Sequence, residues 1–203
     1  MKTLNQDPYN IIMAGVGGQG NVMASRVMAN MLSRQGYTIT IGETFGASQR
    51  GGSVMSHIRV SADTTWSPQI PKGRAHVVIA LEPVEAIRIL ANYGNKAVTV
   101  LTNTRPIHPV SVIAGENKYP NQEEIKKTLE HLSTKVWMVE ATDEALRLGN
   151  SILSNIIMIG AISGLHLLPL ELEDFKEVVK ETFPEKLLEV NQQAFQIGWD
   201  RVQ

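Results

Sequence analysis

The chain of 203 residues carries 19 Lys plus Arg against 20 Asp plus Glu, a formal net charge of -1, and no cysteine. A charge so balanced leaves no basic block to displace counterions from a nucleic-acid backbone, so nucleic acid is not an expected partner. Without cysteine the chain supplies no disulfide, thiolate zinc site, nucleophilic thiol or ligands for a cysteine-held iron–sulfur cluster. The opening residues 1–10 have no apolar signal core, and the longest apolar run, 156–162, falls far short of the roughly 20 residues that span a bilayer. A cytoplasmic protein without a membrane segment is expected. No repeat, low-complexity tract or linker divides it, and one domain over 1–203 accounts for its length.

In chain order, an apolar strand over 10–14 runs into a glycine cluster, "AGVGGQG", followed by a helix over 21–35. A second strand over 38–41 leads to "GETFGASQRGGSV", 42–54, with Glu43, Thr44, Ser48, Gln49, Arg50, Gly51 and Gly52. The segment 53–61 alternates Val54, Ser56, Ile58 and Val60 with Met55, His57 and Arg59, the pattern of a half-exposed strand in a mixed sheet. Residues 64–73, with two prolines and Trp66, form a surface excursion in which Trp66 either plugs a satellite cluster or contacts a partner. Strand runs follow at 76–81, 97–101, 110–114 and 136–139, interleaved with helices at 83–90 and 122–132; Asn121 with Glu124 forms a capping pair for the latter. From 150 onward only helices are expected, the first of them, 150–165, apolar nearly all round and therefore buried in this domain or against another subunit. Strands alternating with helices define a three-layer α/β fold: an open, mostly parallel but mixed sheet, helices on both faces, and a helical C-terminal extension.

Gly15, Gly17 and Gly20 satisfy G-x-G-x-x-G between a strand and a helix, and Glu43 ends the second strand where a ribose-binding acid would stand. Free N–H groups at a helix N-terminus favour an anion, but the same glycines also serve a tight turn and close helix–strand packing. The loop 42–54 departs from the dinucleotide pattern. Its Arg50, beside Gly51 and Gly52, is placed for a bidentate contact with a carboxylate or phosphate, or is simply solvated. His57 and Arg59 share a strand face, and Glu82 before Pro83 reaches the same cleft or starts a helix. Neither His108 nor His166 has a partner at metal-ligand spacing, and no catalytic triad or paired carboxylate site emerges.

The elements "AGVGGQG", "ETFGASQRGGSVMSHIRV", "SPQIPKGRAHVVIALEPVEAIR", "NTRPIHPVSVIAG" and "NQQAFQIGW" resemble, in order and over nearly the whole chain, the gamma subunit or domain of the 2-oxoacid:ferredoxin oxidoreductases. Within that family the proline-bearing segments at 67–71 and 105–109 look most like the small beta subunit of indolepyruvate ferredoxin oxidoreductase. The resemblance implies a complex that oxidatively decarboxylates arylpyruvates to aryl-acetyl-CoA and passes electrons to ferredoxin. It also implies that a large partner subunit carries thiamine diphosphate, Mg and the iron–sulfur clusters, this chain alone binding no cofactor and holding no catalytic residue. Gly15, Gly17, Gly18, Gln19, Gly20, Thr44, Ser48, Gln49, Arg50, Gly51 and Gly52 are then expected to line a cleft admitting CoA or the 2-oxoacid carboxylate, with Glu43, His57, Arg59 and Glu82 as accessories. A hetero-oligomer is expected, with self-association of the isolated chain. The other readings are a gamma subunit serving pyruvate, 2-oxoglutarate or branched 2-oxoacids, an NAD- or nucleotide-binding module using Gly15, Gly17, Gly20 and Glu43, and a purely structural assembly subunit.

Overall fold

The computed structural model describes residues 4–45 and 51–203. Six strands form one sheet: β1 (Tyr9–Val16), β2 (Thr38–Phe45), β3 (Ser53–Ser61), β4 (Val77–Ala80), β5 (Thr99–Asn103) and β6 (Lys135–Val139), in the order β2-β3-β1-β4-β5-β6. β3 is antiparallel to both neighbours, whereas β1, β4, β5 and β6 pair in parallel. The sheet is thus parallel apart from one reversed strand, and the C-terminal ends of its other strands open on one edge.

Alternation along the strands divides the core into two layers. Ile11 and Met13 of β1 with Val77 and Ile79 of β4 face one cluster, and Ile12, Ala14, Val78 and Ala80 face the other. A strand buried on both faces needs such a continuous apolar run. The first layer is covered by α1 (Asn21–Arg34), α5 (Ala141–Arg147), α6 (Ser154–Gly164), α7 (Leu172–Thr182) and α8 (Leu188–Asp200); the second by α2 (Pro83–Tyr93) and α4 (Gln122–Leu132). The capping box on α4 is present: Asn121 accepts from the Glu124 N–H at 2.9 Å, and Glu124 accepts from the Asn121 N–H at 2.8 Å. Every residue of α6 is buried. Among the described residues no helix is long and apolar enough to cross a membrane.

Three expectations are corrected. The run 110–114 is no strand but a short helix, α3 (Val110–Ile113), with none of its residues buried. Its β-branched residues suit a sheet, yet β propensity acts only where a neighbouring strand can be joined; here the Val112 and Ile113 N–H groups close on the Pro109 carbonyl instead. β3 is buried along most of its length rather than half-exposed, because it lies inside the sheet with the 64–73 excursion folded over it. Trp66 plugs no cluster: it is 40% exposed, with the Arg59 guanidinium 5.1 Å from its ring centroid.

The polar residues of β3 tie that excursion down. Arg59 donates to Asn10 Oδ1 at 3.1 Å and to the Ser67 carbonyl at 2.9 Å, and His57 Nδ1 accepts from the Ile70 N–H at 3.3 Å. At the neighbouring strand end, His76 Nδ1 accepts from the Asn10 N–H at 2.9 Å. Burial, aided by the nearby charges of Arg59 and Arg74 respectively, holds both imidazoles below the usual histidine range. They are neutral in the folded protein, whereas in the unfolded chain each takes up a proton near pH 6.5. Their stabilising contribution is therefore full above about pH 6.5 and lost as pH falls below it. The urea midpoint is expected to drop between pH 7.5 and 5.5, less steeply in His57→Gln, whose amide oxygen still accepts from Ile70. A flat midpoint in the unaltered protein over that range would reject the assignment.

Candidate functional site

The site lies where the chain order reverses across the sheet, between β1 and β4, outside their C-terminal ends; open α/β sheets bind ligands at such crevices. A cleft of about 320 Å³ opens there, lined by Val16, Gly17, Gly18 and Gln19 after β1, by Gly51, by Arg105, Pro106 and Ile107 after β5, and by Thr142, Ser151, Ile152 and Ser154. The two glycine segments are stitched together: the Gly17 N–H donates to the Gly52 carbonyl at 2.8 Å, and the Gly51 N–H to the Gly17 carbonyl at 3.4 Å.

The glycines divide their duties. A Cβ on Gly15 would stand 2.8 Å from Gln19 Oε1 and 3.1 Å from Leu81 Cβ, and one on Gly20 would fall 2.3 Å from Asn155 Nδ2 and 3.1 Å from Ile152 Cδ1. Both therefore serve close packing. Gly18, at φ +107, and Gly51, at φ +74, have open space where a side chain would project, and their backbone borders the cleft. Gln19 braces the loop, its Oε1 accepting from the Val16 N–H and its Nε2 donating to the Leu81 carbonyl, each at 2.8 Å. A dinucleotide pyrophosphate lying over Gly20 would meet Asn155 and Ile152, both set against the start of α1.

Of the remaining expected residues, Thr44 is exposed on β2 and outside the cleft lining, and Ser48, Gln49 and Arg50 lie outside the described residues. Glu43 pairs with Arg26 at 3.7 Å. His57 and Arg59 are buried in β3, where Arg59 stands opposite Asn10 near the start of β1, the end away from the cleft.

Glu82 is 2% exposed and both caps a helix and braces the site. It accepts the Glu85 N–H at 2.9 Å as the N-cap of α2, the Ile107 N–H at 3.4 Å, and the Tyr119 hydroxyl. Two of those donors belong to the segment 104–121, so one buried carboxylate anchors the wall of the cleft. Burial, then the hydrogen bond to Glu82 and its charge, holds the Tyr119 proton far above the usual phenol range. Arg105, on that wall, pairs with Asp143 at 2.7 Å while remaining half-exposed. Sequence reasoning missed Arg105; the only available signal was a cation directly after an apolar strand, where the sheet edge delivers it to the cleft. Among the described residues, no group of three or more His, Asp or Glu is placed to hold a metal ion.

The family model for pyruvate ferredoxin/flavodoxin oxidoreductase matches residues 10–201. The chain is 40% identical over 191 residues to the indolepyruvate oxidoreductase subunit IorB of Thermococcus kodakarensis, covering 94% of each chain, and 38% identical over 192 residues to that of Archaeoglobus fulgidus, covering 95% of this chain and 94% of the relative. In fold it is similar to the gamma subunit of a keto/oxoacid ferredoxin oxidoreductase from Geobacter sulfurreducens, with a TM-score of 0.67 and 21% identity over 96% of this chain and 98% of the other. It is also similar to part of the 2-oxoglutarate:ferredoxin oxidoreductase from Magnetococcus marinus, with a TM-score of 0.74 and 19% identity over 98% of this chain and 31% of the other.

Proposed function

This chain belongs to the pyruvate ferredoxin/flavodoxin oxidoreductase family, and from that premise we propose that it is the small subunit of an arylpyruvate:ferredoxin oxidoreductase of the indolepyruvate type. The observation that carries the chain's own part in the reaction is the cleft at the sheet edge, where side-chain-free backbone at Gly17, Gly18 and Gly51 faces the Arg105 guanidinium. Backbone without side chains admits an anionic group closely, and a guanidinium holds a phosphate or carboxylate in a fixed orientation. The cleft receives the phosphates of CoA or the carboxylate of the 2-oxoacid and presents them to the partner's reaction centre. Arg50, next in sequence to Gly51, is assigned to the same task.

Decarboxylation and electron transfer belong to a large partner subunit bearing thiamine diphosphate with Mg and the iron–sulfur clusters; bound there, the thiamine supplies the carbanion chemistry of 2-oxoacid cleavage. The thiolates for a cysteine-held cluster must come from another chain, since this one has no cysteine. Its own residues bind, orient and shield, in a cytoplasmic complex that delivers electrons to ferredoxin.

Co-expression with the large subunit from the same genome tests the proposal: indolepyruvate-, CoA- and ferredoxin-dependent electron transfer should require both chains. Within that complex Arg50→Ala and Arg105→Ala should each raise KM for CoA or arylpyruvate by about tenfold or more, since a charge-assisted hydrogen bond contributes roughly 1.5–3 kcal/mol, with assembly unchanged. An unaltered KM with intact turnover removes the arginine concerned from the site. Activity of the large subunit without this chain removes the function.

A further inference from the structure

The sheet ends differently at its two margins. β6 is five residues long and opens with Lys135, and a short edge carrying a lysine discourages further pairing. β2, at the other margin, runs for eight residues in unbroken register with β3, and 38–45 holds no proline, lysine or arginine. On its outer side no N–H or C=O group has a backbone partner among the described residues. A long, regular edge without such guards is a template for one more strand.

Both faces of that edge are unfinished. Towards α1, Ile39 packs against the core and Glu43 pairs with Arg26, while Ile41 between them is half-buried and packs against neither core layer. On the opposite face the Trp66 N–H donates to Thr40 Oγ1 at 3.4 Å, and Gly42 lies under Pro68, where a Cβ would stand 2.9 Å from Pro68 Cβ. Trp66 is exposed there, with the Arg59 guanidinium against its ring.

We propose that two copies of this chain join edge to edge through β2, antiparallel about a two-fold axis at Ile41, so that their two sheets become one. Both faces select this register. It sets Ile41 against its own copy, Thr38 against the second copy's Thr44, and Thr40 against the second copy's Gly42; apolar and threonine pairs directly opposite each other favour pairing. Because Trp66 is tied to Thr40 and Pro68 covers Gly42, each Trp66 comes to the other copy's Pro68. The contact therefore occurs twice, as a two-fold interface requires, and it buries an aromatic side chain of the kind that dominates interface energetics. A second copy is the occupant because it alone brings an edge of the same length and phase, an apolar residue for the axis and a glycine opposite Thr40. β3 and β1 separate this edge from β4, so pairing there is independent of what the glycine cleft binds.

Sedimentation of the full chain over a range of concentrations tests it, with a reversible monomer–dimer equilibrium as the expected result. Ile41→Lys and Ile41→Glu each put two like charges on the axis and should each give monomers; mixing the two variants should restore a dimer, which a folding defect would not allow. Trp66→Ala, at an exposed position, should raise the dimer dissociation constant tenfold or more, and it decides the matter if either charge variant fails to fold. Deuterium uptake over 38–44 should be slower in the dimer than in the diluted monomer, and should stay slow when the large subunit is bound. A chain that remains monomeric at its highest concentration overturns the proposal, as does an Ile41→Lys chain that still dimerises or a Trp66→Ala dissociation constant equal to that of the unaltered chain. A dimer that dissolves on adding the large subunit would give the edge to that subunit and overturn it too.

Discussion

Gly198→Ala is expected to destabilise the protein by about 3 kcal/mol or more and to leave much of it insoluble on expression. In an unpacked helix the same change would stabilise by up to about 1 kcal/mol, because alanine is the better helix former. Here the added Cβ would fall 1.8 Å from the Ile157 carbonyl oxygen and 2.8 Å from the Ala161 nitrogen. These are backbone atoms of α6 and have no rotamer by which to escape. The crossing is reciprocal, since a Cβ on Gly160 would stand 1.9 Å from the Phe195 oxygen of α8. To admit either methyl group, α6 and α8 must move apart, opening space around Phe195, Ile157 and Ala161, all fully buried. Gln196→Ala, at an exposed position on the same helix, is the control. A Gly198→Ala urea midpoint equal to that of the control would mean that the helices are not in backbone contact.

Glu82→Ala should rank second, with a loss of about 3 kcal/mol and a raised KM for CoA in the assembled complex, because orphaning a buried donor costs roughly 1–3 kcal/mol. Three donors lose their acceptor together: the Glu85 N–H, the Ile107 N–H and the Tyr119 hydroxyl. Only the first belongs to the helix cap; the other two hold the cleft wall. Tyr119→Phe removes one donor and leaves Glu82 its other two, so it should cost about 1 kcal/mol. The double variant should then destabilise by less than the sum of the singles, the mark of a shared network. Limited proteolysis separates the two roles of Glu82: cleavage within 104–121 should accelerate far more than loss of helix α2 alone would explain. Additive stabilities with unchanged proteolysis would reduce Glu82 to a helix cap.

Much of this was legible in the sequence, and for definite reasons. Buried strands such as β1 and β4 are continuous apolar runs bounded by glycine or by Glu82-Pro83, and the Asn121–Glu124 box marks its own helix start. The reversed strand β3 could be placed but not its burial, since its cover comes from the 64–73 excursion, held there by hydrogen bonds from Arg59 to the Ser67 carbonyl and from the Ile70 N–H to His57 that no periodicity announces. Val110–Ile113 misled because a β-branched run means a strand only where an edge is free to take it, and β6 takes the place beside β5. In the site, the glycine motif located the cleft, but it could not show that Gly15 and Gly20 serve packing while Gly18 and Gly51 face open space. Arg105 was hidden for a related reason. It has an ordinary local sequence, and only the sheet edge brings it to the cleft that the glycine loops line.

The contact of α6 with α8 also fixes an order of events during synthesis. Translation runs from the N-terminus, so the sheet and the largely apolar α6 leave the ribosome before residues 188–200, which form the helix that lies against its glycine face. Until then one side of α6 has no cover, and a nascent chain stalled in that interval presents a sticky apolar ridge to its neighbours on the same message. Residues 188–200 are therefore what turns that ridge from a hazard into an interior surface.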